Sequence, residues 1–156
     1  AEIPNKNSIN KKSNTILYLD SIKDPGNLGT IIRTLDWFGF SELFCSKDTV
    51  DHFNSKVIMA SMGSIFRTKI HYIDLDSLLK IFPRHITYGT YLSGENIYNK
   101  KINKKSIIVM GNESHGISET NRKLIKNKIS IPKIGKAESL NVSTATAIIL
   151  NEITRN

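Results

Sequence analysis

The sequence predicts a three-layer α/β domain with a mostly parallel sheet and helices on both faces. Two observations predict it. Short apolar runs of strand length alternate along the chain with segments of helical period. One of those runs, Ile107-Ile108-Val109-Met110, is unbroken by any polar residue, as expected of a strand buried on both faces of a parallel sheet.

Thr15-Ile16-Leu17-Tyr18-Leu19 is the first apolar run, ending at Asp20, and reads as a buried strand. Asp24-Pro25-Gly26-Asn27 is a turn signal. A helix is expected over 28–38, closed by Gly39, with Leu28, Ile31, Ile32, Leu35 and Phe38 on one side. Arg33 points away from that side, with Trp37 one turn along. Residues 42–46 read as a second strand, 54–62 as a second helix and 69–72 as a third strand. A third helix over 74–81 stops before Pro83, and 86–90 is a fourth strand.

After the apolar run at 107–110, residues 111–116 form a loop, and Ser118 caps a helix expected to run to about residue 126. Ile129-Ser130-Ile131 is a last strand, ended by Pro132. The stretch Leu140 to Leu150 reads as a helix whose polar start, Ser139 and Asn141, supplies cap oxygens for the first-turn amides. Its body of small and aliphatic residues leaves little to face water.

The 156 residues are enough for one domain with a real core. No long uncharged apolar run marks a membrane span, and no signal-peptide pattern is present. The single cysteine, Cys45, excludes an internal disulfide and fits a reducing cytoplasm. Its apolar neighbours Leu43 and Phe44 make it a buried structural thiol. The net charge of +8 favours a polyanionic partner such as nucleic acid. Cations cluster at Lys11-Lys12, at Lys100-Lys101 with Lys104-Lys105, and between Arg122 and Lys136. The chain opens on Ala1, and residues 1–14 are mostly polar. They are expected to be a linker or tail ahead of a single catalytic domain at 15–156.

Ligands of such sheets bind past the carboxyl ends of the strands. The polar loops 24–33, 111–116 and 131–141 fall there. They carry no G-x-G-x-x-G after the first strand, no Walker A lysine pattern and no H-E-x-x-H. The histidines, His52, His71, His85 and His115, lack metal-ligand spacing, so no metal is expected. The residues themselves point to a ligand site of an uncommon kind.

Together, the three loops resemble the ordered motifs of the SpoU (TrmH) family. The residues that carry the resemblance are Asp24-Pro25, Asn27, Gly29, Arg33-Thr34 and Phe38-Gly39; then Met110-Gly111-Asn112-Glu113 with Gly116; then Ile131-Pro132 and Ser139-Leu140-Asn141-Val142-Ser143. Asn54, Lys56-Val57 and Ala60-Ser61-Met62-Gly63-Ser64 also look like that family's segment between motifs. Any one motif is weak; three in order at fitting spacing are strong. The resemblance covers roughly 16–153.

The family comprises S-adenosyl-L-methionine-dependent RNA ribose 2′-O-methyltransferases of the SPOUT superfamily. The resemblance therefore implies a deep trefoil knot in the C-terminal third, which sequence physics alone would not propose. It implies a homodimer through the knot region and an RNA substrate, ribosomal rather than transfer RNA. A separate N-terminal RNA-binding domain, carried by many members, is expected to be missing here. Cofactor contacts are implied for Thr90, Met110, Gly111, Asn112, Gly116, Ile131, Pro132 and Leu140.

Asn27, Arg33, Glu113, Ser139 and Asn141 are implied as the catalytic set. Read on their own chemistry, Asn27 is a helix cap, Arg33 a surface arginine, and Ser139 with Asn141 caps. The family proposal makes the matching arginine the general base. Arginine stays protonated in proteins, so a forked clamp on an RNA phosphate is the better role. Glu113 is expected to order Asn27, Arg33 or the site loops. Trp37 is either a dimer contact or a platform for a base, and His115 is a loop residue without a role. Two competing readings are a SPOUT enzyme that methylates a base nitrogen and a module that has lost catalysis. The intact polar set speaks against both.

Overall fold

The computed structural model describes residues 8–155, and residues 1–7 of the expected linker lie outside the described residues. Residues 8–14 are tied to the sheet: the Asn10 N–H donates to Glu42 at 3.1 Å, and the Ser13 carbonyl accepts from His85 at 2.9 Å.

The elements follow in order: β1 (Thr15–Leu19), α1 (Pro25–Trp37), β2 (Glu42–Cys45), α2 (Ser55–Ser61), a 3-10 turn (Ser64–Phe66), β3 (Lys69–Tyr72) and α3 (Leu75–Ile81). Then come β4 (Ile86–Asn96), β5 (Ser106–Met110), α4 (Glu119–Arg122), β6 (Asn127–Ser130) and α5 (Val142–Arg155). The six strands form one sheet in the order β3-β2-β1-β5-β4-β6, and every pairing is parallel. The chain leaves β1 toward β2 on one side and leaves β5 toward β6 on the other, so the winding reverses at the β1/β5 pair. Crevices of such sheets open past the strand ends at this reversal.

Alternation along the central strands makes the three layers. In β1, Leu17 and Leu19 join the core under α1, α2 and α5, while Ile16 and Tyr18 join the core under α3. In β5, Ile108 and Met110 go one way and Ile107 and Val109 the other. A strand with apolar side chains on both faces has to be covered on both faces, so the unbroken run at 107–110 needs helices above and below. On α1, Leu28, Ile31, Ile32 and Leu35 are fully buried, as their spacing predicts, and Phe38 is partly buried against the same core. Cys45 is fully buried, and burial pushes its thiol well above the ordinary range, which leaves it inert.

Several boundaries differ from the sequence reading. Helix α1 starts at Pro25, because Asp24 is its N-cap: Asp24 Oδ1 accepts from the Asn27 N–H at 2.7 Å. A proline is well suited to the first helical position, where no amide partner is needed. The turn signal at 24–27 is thus the cap of a helix, and Asn27 is released from capping. Strand β4 continues to Asn96, with a register irregularity between Thr90 and Glu95 that carries it past the end expected at 90. Helix α4 has only four residues, because the chain must return at Asn127 to pair with Tyr88. Helix α5 begins at Val142 and runs on to Arg155. It is less enclosed than expected, with Thr144 and Asn151 exposed.

Candidate active site

The loops after β1, β5 and β6 meet at the carboxyl edge of the sheet, where the sequence places them. Each is shaped by local chemistry. After β5, Asn112 folds its loop back on itself: its Oδ1 accepts from the Ser114 N–H at 2.8 Å, and its backbone pairs with Gly116 in an isolated bridge. Asn112 Nδ2 also donates to the Ser21 carbonyl at 2.6 Å, which fastens this loop to the end of β1. Gly111 is needed for the fold-back. A Cβ there would stand 2.4 Å from the backbone of Gly116 and Ile117, closer than any side chain can sit. Arg122 holds the far side by donating to the Ile117 and His115 carbonyls at 2.6 and 3.0 Å.

A second close approach seats α1. A Cβ on Gly29 would lie 2.6 Å from both Ala60 Cβ and the Val57 carbonyl, so α1 and α2 touch backbone to backbone at this point. The small residues Ala60 and Ser61, which the sequence reading set among the motif-like segments, form the seat. This contact sets the position of α1, and with it the positions of Asn27 and Arg33.

The loops are joined by one chain of side-chain hydrogen bonds. Asn141 Oδ1 accepts from the Ser143 N–H at 2.9 Å and so caps α5. Asn141 Nδ2 donates to Asn27 Oδ1 at 2.9 Å, and Asn27 Nδ2 donates to Glu113 Oε1 at 2.7 Å. Every donor in this series points the same way, from the N-terminus of α5 to a carboxylate. An anion at the end of such a series is a good acceptor, and each amide is polarised by the next.

Beside the chain lies a cleft of about 870 Å³, within the size range of small-molecule sites. Thr90, Met110, Gly111, Asn112 and Gly116 line one side; Ile131, Pro132 and Leu140 line another. Glu113 and Ser139 also border it, as does His115, the loop residue without an expected role. Leu140 is 48% exposed. Val142, Ala145 and Ile149 of α5 form part of the wall.

Arg33 is not brought to the cleft. It is exposed on the outer face of α1 and makes no hydrogen bond or ion pair with any described residue. It stands six positions after Asn27, which places it ~9 Å along the axis and roughly two-thirds of a turn round it. Trp37, 86% exposed, shares that outer face.

Tyr91 is a cleft residue the sequence reading missed. Its hydroxyl is buried and has no hydrogen-bond partner among the described residues. Burial raises its pKa, the Arg122 charge opposes that rise, and the Asp20 carboxylate adds to it. Nothing in the sequence marks Tyr91, since it lies just past the strand end expected at 90. Asp20, fully buried, is a second omission: its Oδ2 accepts from the Ser118 N–H at 2.7 Å and ties the end of β1 to the start of α4. Among the described residues no group of His, Cys, Asp and Glu is placed to hold a metal ion.

Known proteins resemble this chain in sequence and fold. The family described as SpoU rRNA Methylase matches residues 14–151. The 23S rRNA (guanosine(2553)-2′-O)-methyltransferase RlmP of Bacillus subtilis (strain 168) is 33% identical over 138 residues, covering 86% of this chain and 56% of its own. A TrmH-family RNA methyltransferase structure from Porphyromonas gingivalis, described as putative, superposes with a TM-score of 0.84 at 37% identity. That match covers 92% of this chain and 60% of the other. The AdoMet-bound rRNA methyltransferase of Sinorhizobium meliloti superposes with a TM-score of 0.85 at 32% identity, covering 94% and 58%. The chain thus spans less than two thirds of the length of each of these proteins.

Proposed function

This chain belongs to the SpoU rRNA methylase family, and from that membership we propose that it methylates the ribose 2′-hydroxyl of a nucleotide in structured RNA, with S-adenosyl-L-methionine as the donor. Ribosomal RNA is the favoured substrate and transfer RNA the second. The observation that carries this reading is the Asn141–Asn27–Glu113 chain: three motif-bearing loops from separate strands are tied together beside a cleft with the lining an adenosine needs.

The lining fits the cofactor. Met110, Ile131 and Leu140 offer apolar surface to an adenine ring, while Thr90, Tyr91 and Ser139 bring hydroxyls. The Tyr91 hydroxyl, buried without a partner among the described residues, leaves a hydrogen bond to be satisfied by a ligand. Gly111, Asn112, Gly116 and Pro132 shape the loops around that volume. When bound, the cofactor supplies an electrophilic methyl carbon on a sulfonium.

The ribose hydroxyl has to be held in line and lose its proton. Asn27 and Asn141 are fixed side chains at the site, and Glu113 is the positioning residue that holds Asn27. Ser139 completes the polar border. Arg33 is exposed and free to form a forked clamp on an RNA phosphate, which orients the nucleotide. A guanidinium is a poor base and a good clamp.

The same reading extends to assembly. A deep trefoil knot in the C-terminal third, with α5 as the threaded segment, follows from the family membership. A homodimer is supported by exposed large apolar side chains: Trp37, Met59, Met62 and Phe66 are all mostly exposed, with the Arg67–Asp36 ion pair next to them in the chain. They belong to α1, α2 and the 3-10 turn and not to the C-terminal third through which the dimer was expected. In this reading Trp37 is a dimer contact. A cytoplasmic site of action is supported by the RNA substrate and the buried thiol of Cys45.

Titration of the chain with S-adenosylmethionine in a calorimeter tests the cofactor site, and an absence of binding would sink it. Mapping 2′-O-methyl positions in cellular RNA with and without the full-length protein tests the reaction. An unchanged map would refute it.

A further inference from the structure

Six cations of this chain collect at the end of the sheet opposite the cleft. The Asn14 carbonyl accepts from the Ser106 N–H at 3.1 Å, the Lys105 carbonyl from the Ile86 N–H at 3.0 Å, and the Lys104 carbonyl from the Thr15 hydroxyl at 3.4 Å. These bonds set the segments that enter β1, β5 and β4 side by side. Those segments carry Lys11, Lys12, Lys104, Lys105 and Arg84. Lys126 joins them at the start of β6, where its N–H donates to Thr87 at 2.9 Å. All six are exposed, and none of their side chains bonds to a described residue.

Carboxylates at this end are occupied. Glu42 is buried, accepts from the Asn10 N–H and lies 3.3 Å from His71 Nε2. Asp36 is held by Arg67 at 2.7 Å, and Glu152 is buried with Arg155 at 3.2 Å. At the cleft end, Lys23 and Lys47 are paired with Asp48 and Asp74, while Lys133 and Lys136 are exposed on the loop after β6. Adjacent strands lie ~4.8 Å apart, so the starts of β1, β5, β4 and β6 spread the six cations over roughly 14 Å. A nucleic-acid duplex presents a charge every ~1.7 Å of its axis, which several cations along one edge can meet.

We infer that this edge is a second RNA contact, gripping the phosphate backbone of a segment remote from the nucleotide in the cleft. The choice of RNA as the polyanion rests on the proposed function. Contacts of this kind hold and orient an RNA without reading its sequence.

The test compares two charge-matched variants. K11Q/K12Q/K104Q/K105Q removes charge from this edge; K23Q/K47Q/K80Q/K100Q removes the same charge from lysines already paired. Both are titrated with a generic RNA hairpin between about 50 and 200 mM salt. In the edge variant the slope of log affinity against log salt is expected to become shallower by ~3, with affinity at least about tenfold weaker at low salt. The paired-lysine variant keeps the parent slope, and both bind S-adenosylmethionine as the parent does. Equal losses in the two variants, or no loss in the first, overturn the inference. So does tighter binding of the parent to phosphatidylserine vesicles than to the hairpin, which would make the edge a membrane surface. Failure of the parent to bind S-adenosylmethionine instead overturns the proposed function, and the RNA titration is still read independently.

Discussion

Asn27 Nδ2 donates to Glu113 Oε1 at 2.7 Å across 86 positions of chain, and this bond fastens the start of α1 to the loop after β5. Both partners are at least partly exposed, so the bond contributes little to stability, about 1 kcal/mol. Its consequence is positional. Glu113→Ala is expected to lower labelled methyl transfer to RNA at least about tenfold, the effect of misplacing a site side chain, with urea denaturation shifted by no more than ~1 kcal/mol. Loss of activity in step with loss of folded protein would refute the positioning role.

Arg33 is the reverse case, an expected site residue that stands outside the cleft and makes no hydrogen bond or ion pair with any described residue. Arg33→Ala is expected to leave stability within about 0.5 kcal/mol of the parent, because nothing in the chain depends on it. It is expected to abolish methyl transfer while S-adenosylmethionine affinity, read by calorimetry, stays nearly intact. Unchanged turnover would exclude Arg33 from the reaction.

Gly29 separates two opposed effects. Alanine is the better helix former by ~1 kcal/mol. Against that, its Cβ would stand 2.6 Å from Ala60 Cβ and from the Val57 carbonyl, and one of these is backbone. Pushing α1 off α2 is overpacking of the usual kind, costing about 1–3 kcal/mol, so the steric effect wins. Gly29→Ala is therefore expected to be destabilised, by a measure read in thermal or urea unfolding, whereas a stabilised variant would show that the two helices part easily.

Asp48 predicts a pH dependence. Burial pushes its carboxyl up, but hydrogen bonds from Ser21, Ser46 and Lys23 outweigh that and hold it at about 2. A carboxylate depressed in the folded state stabilises the protein above its unfolded pKa of ~3.9, and that stability is lost as pH falls toward 2. Because the side chain is 55% exposed, the stabilisation is discounted to about 1 kcal/mol. Urea midpoints measured through this range are expected to fall less in Asp48→Asn than in the parent. Parallel curves would contradict the assignment.

Much of this protein is legible in one dimension. Leu28, Ile31, Ile32 and Leu35 lie on one side of a helical wheel, and all four are fully buried. The run at 107–110 has no polar face, so it must be central, and it is. The loops after β1, β5 and β6 are polar because strand ends at an open crevice must be. Less legible were features that depend on competition. Asp24 rather than Asn27 caps α1, although Asp before Pro was available as a signal. Strand β4 outran its apolar run because β6 pairs with its polar extension, which no periodicity announces.

The sequence by itself determined the α/β layering, the order of the motif-bearing loops and the family, since periodicity, caps and motif spacing are local properties. Only the tertiary structure decided that Asn141, Asn27 and Glu113 form one hydrogen-bonded chain, that Gly29 is a helix contact, and that Tyr91 borders the cleft. It also decided that Arg33 stands outside the cleft and that cations gather at the far edge. Each depends on groups many positions apart being brought within a few ångströms, and that distance is set by how the sheet is wound, not by any stretch of chain alone.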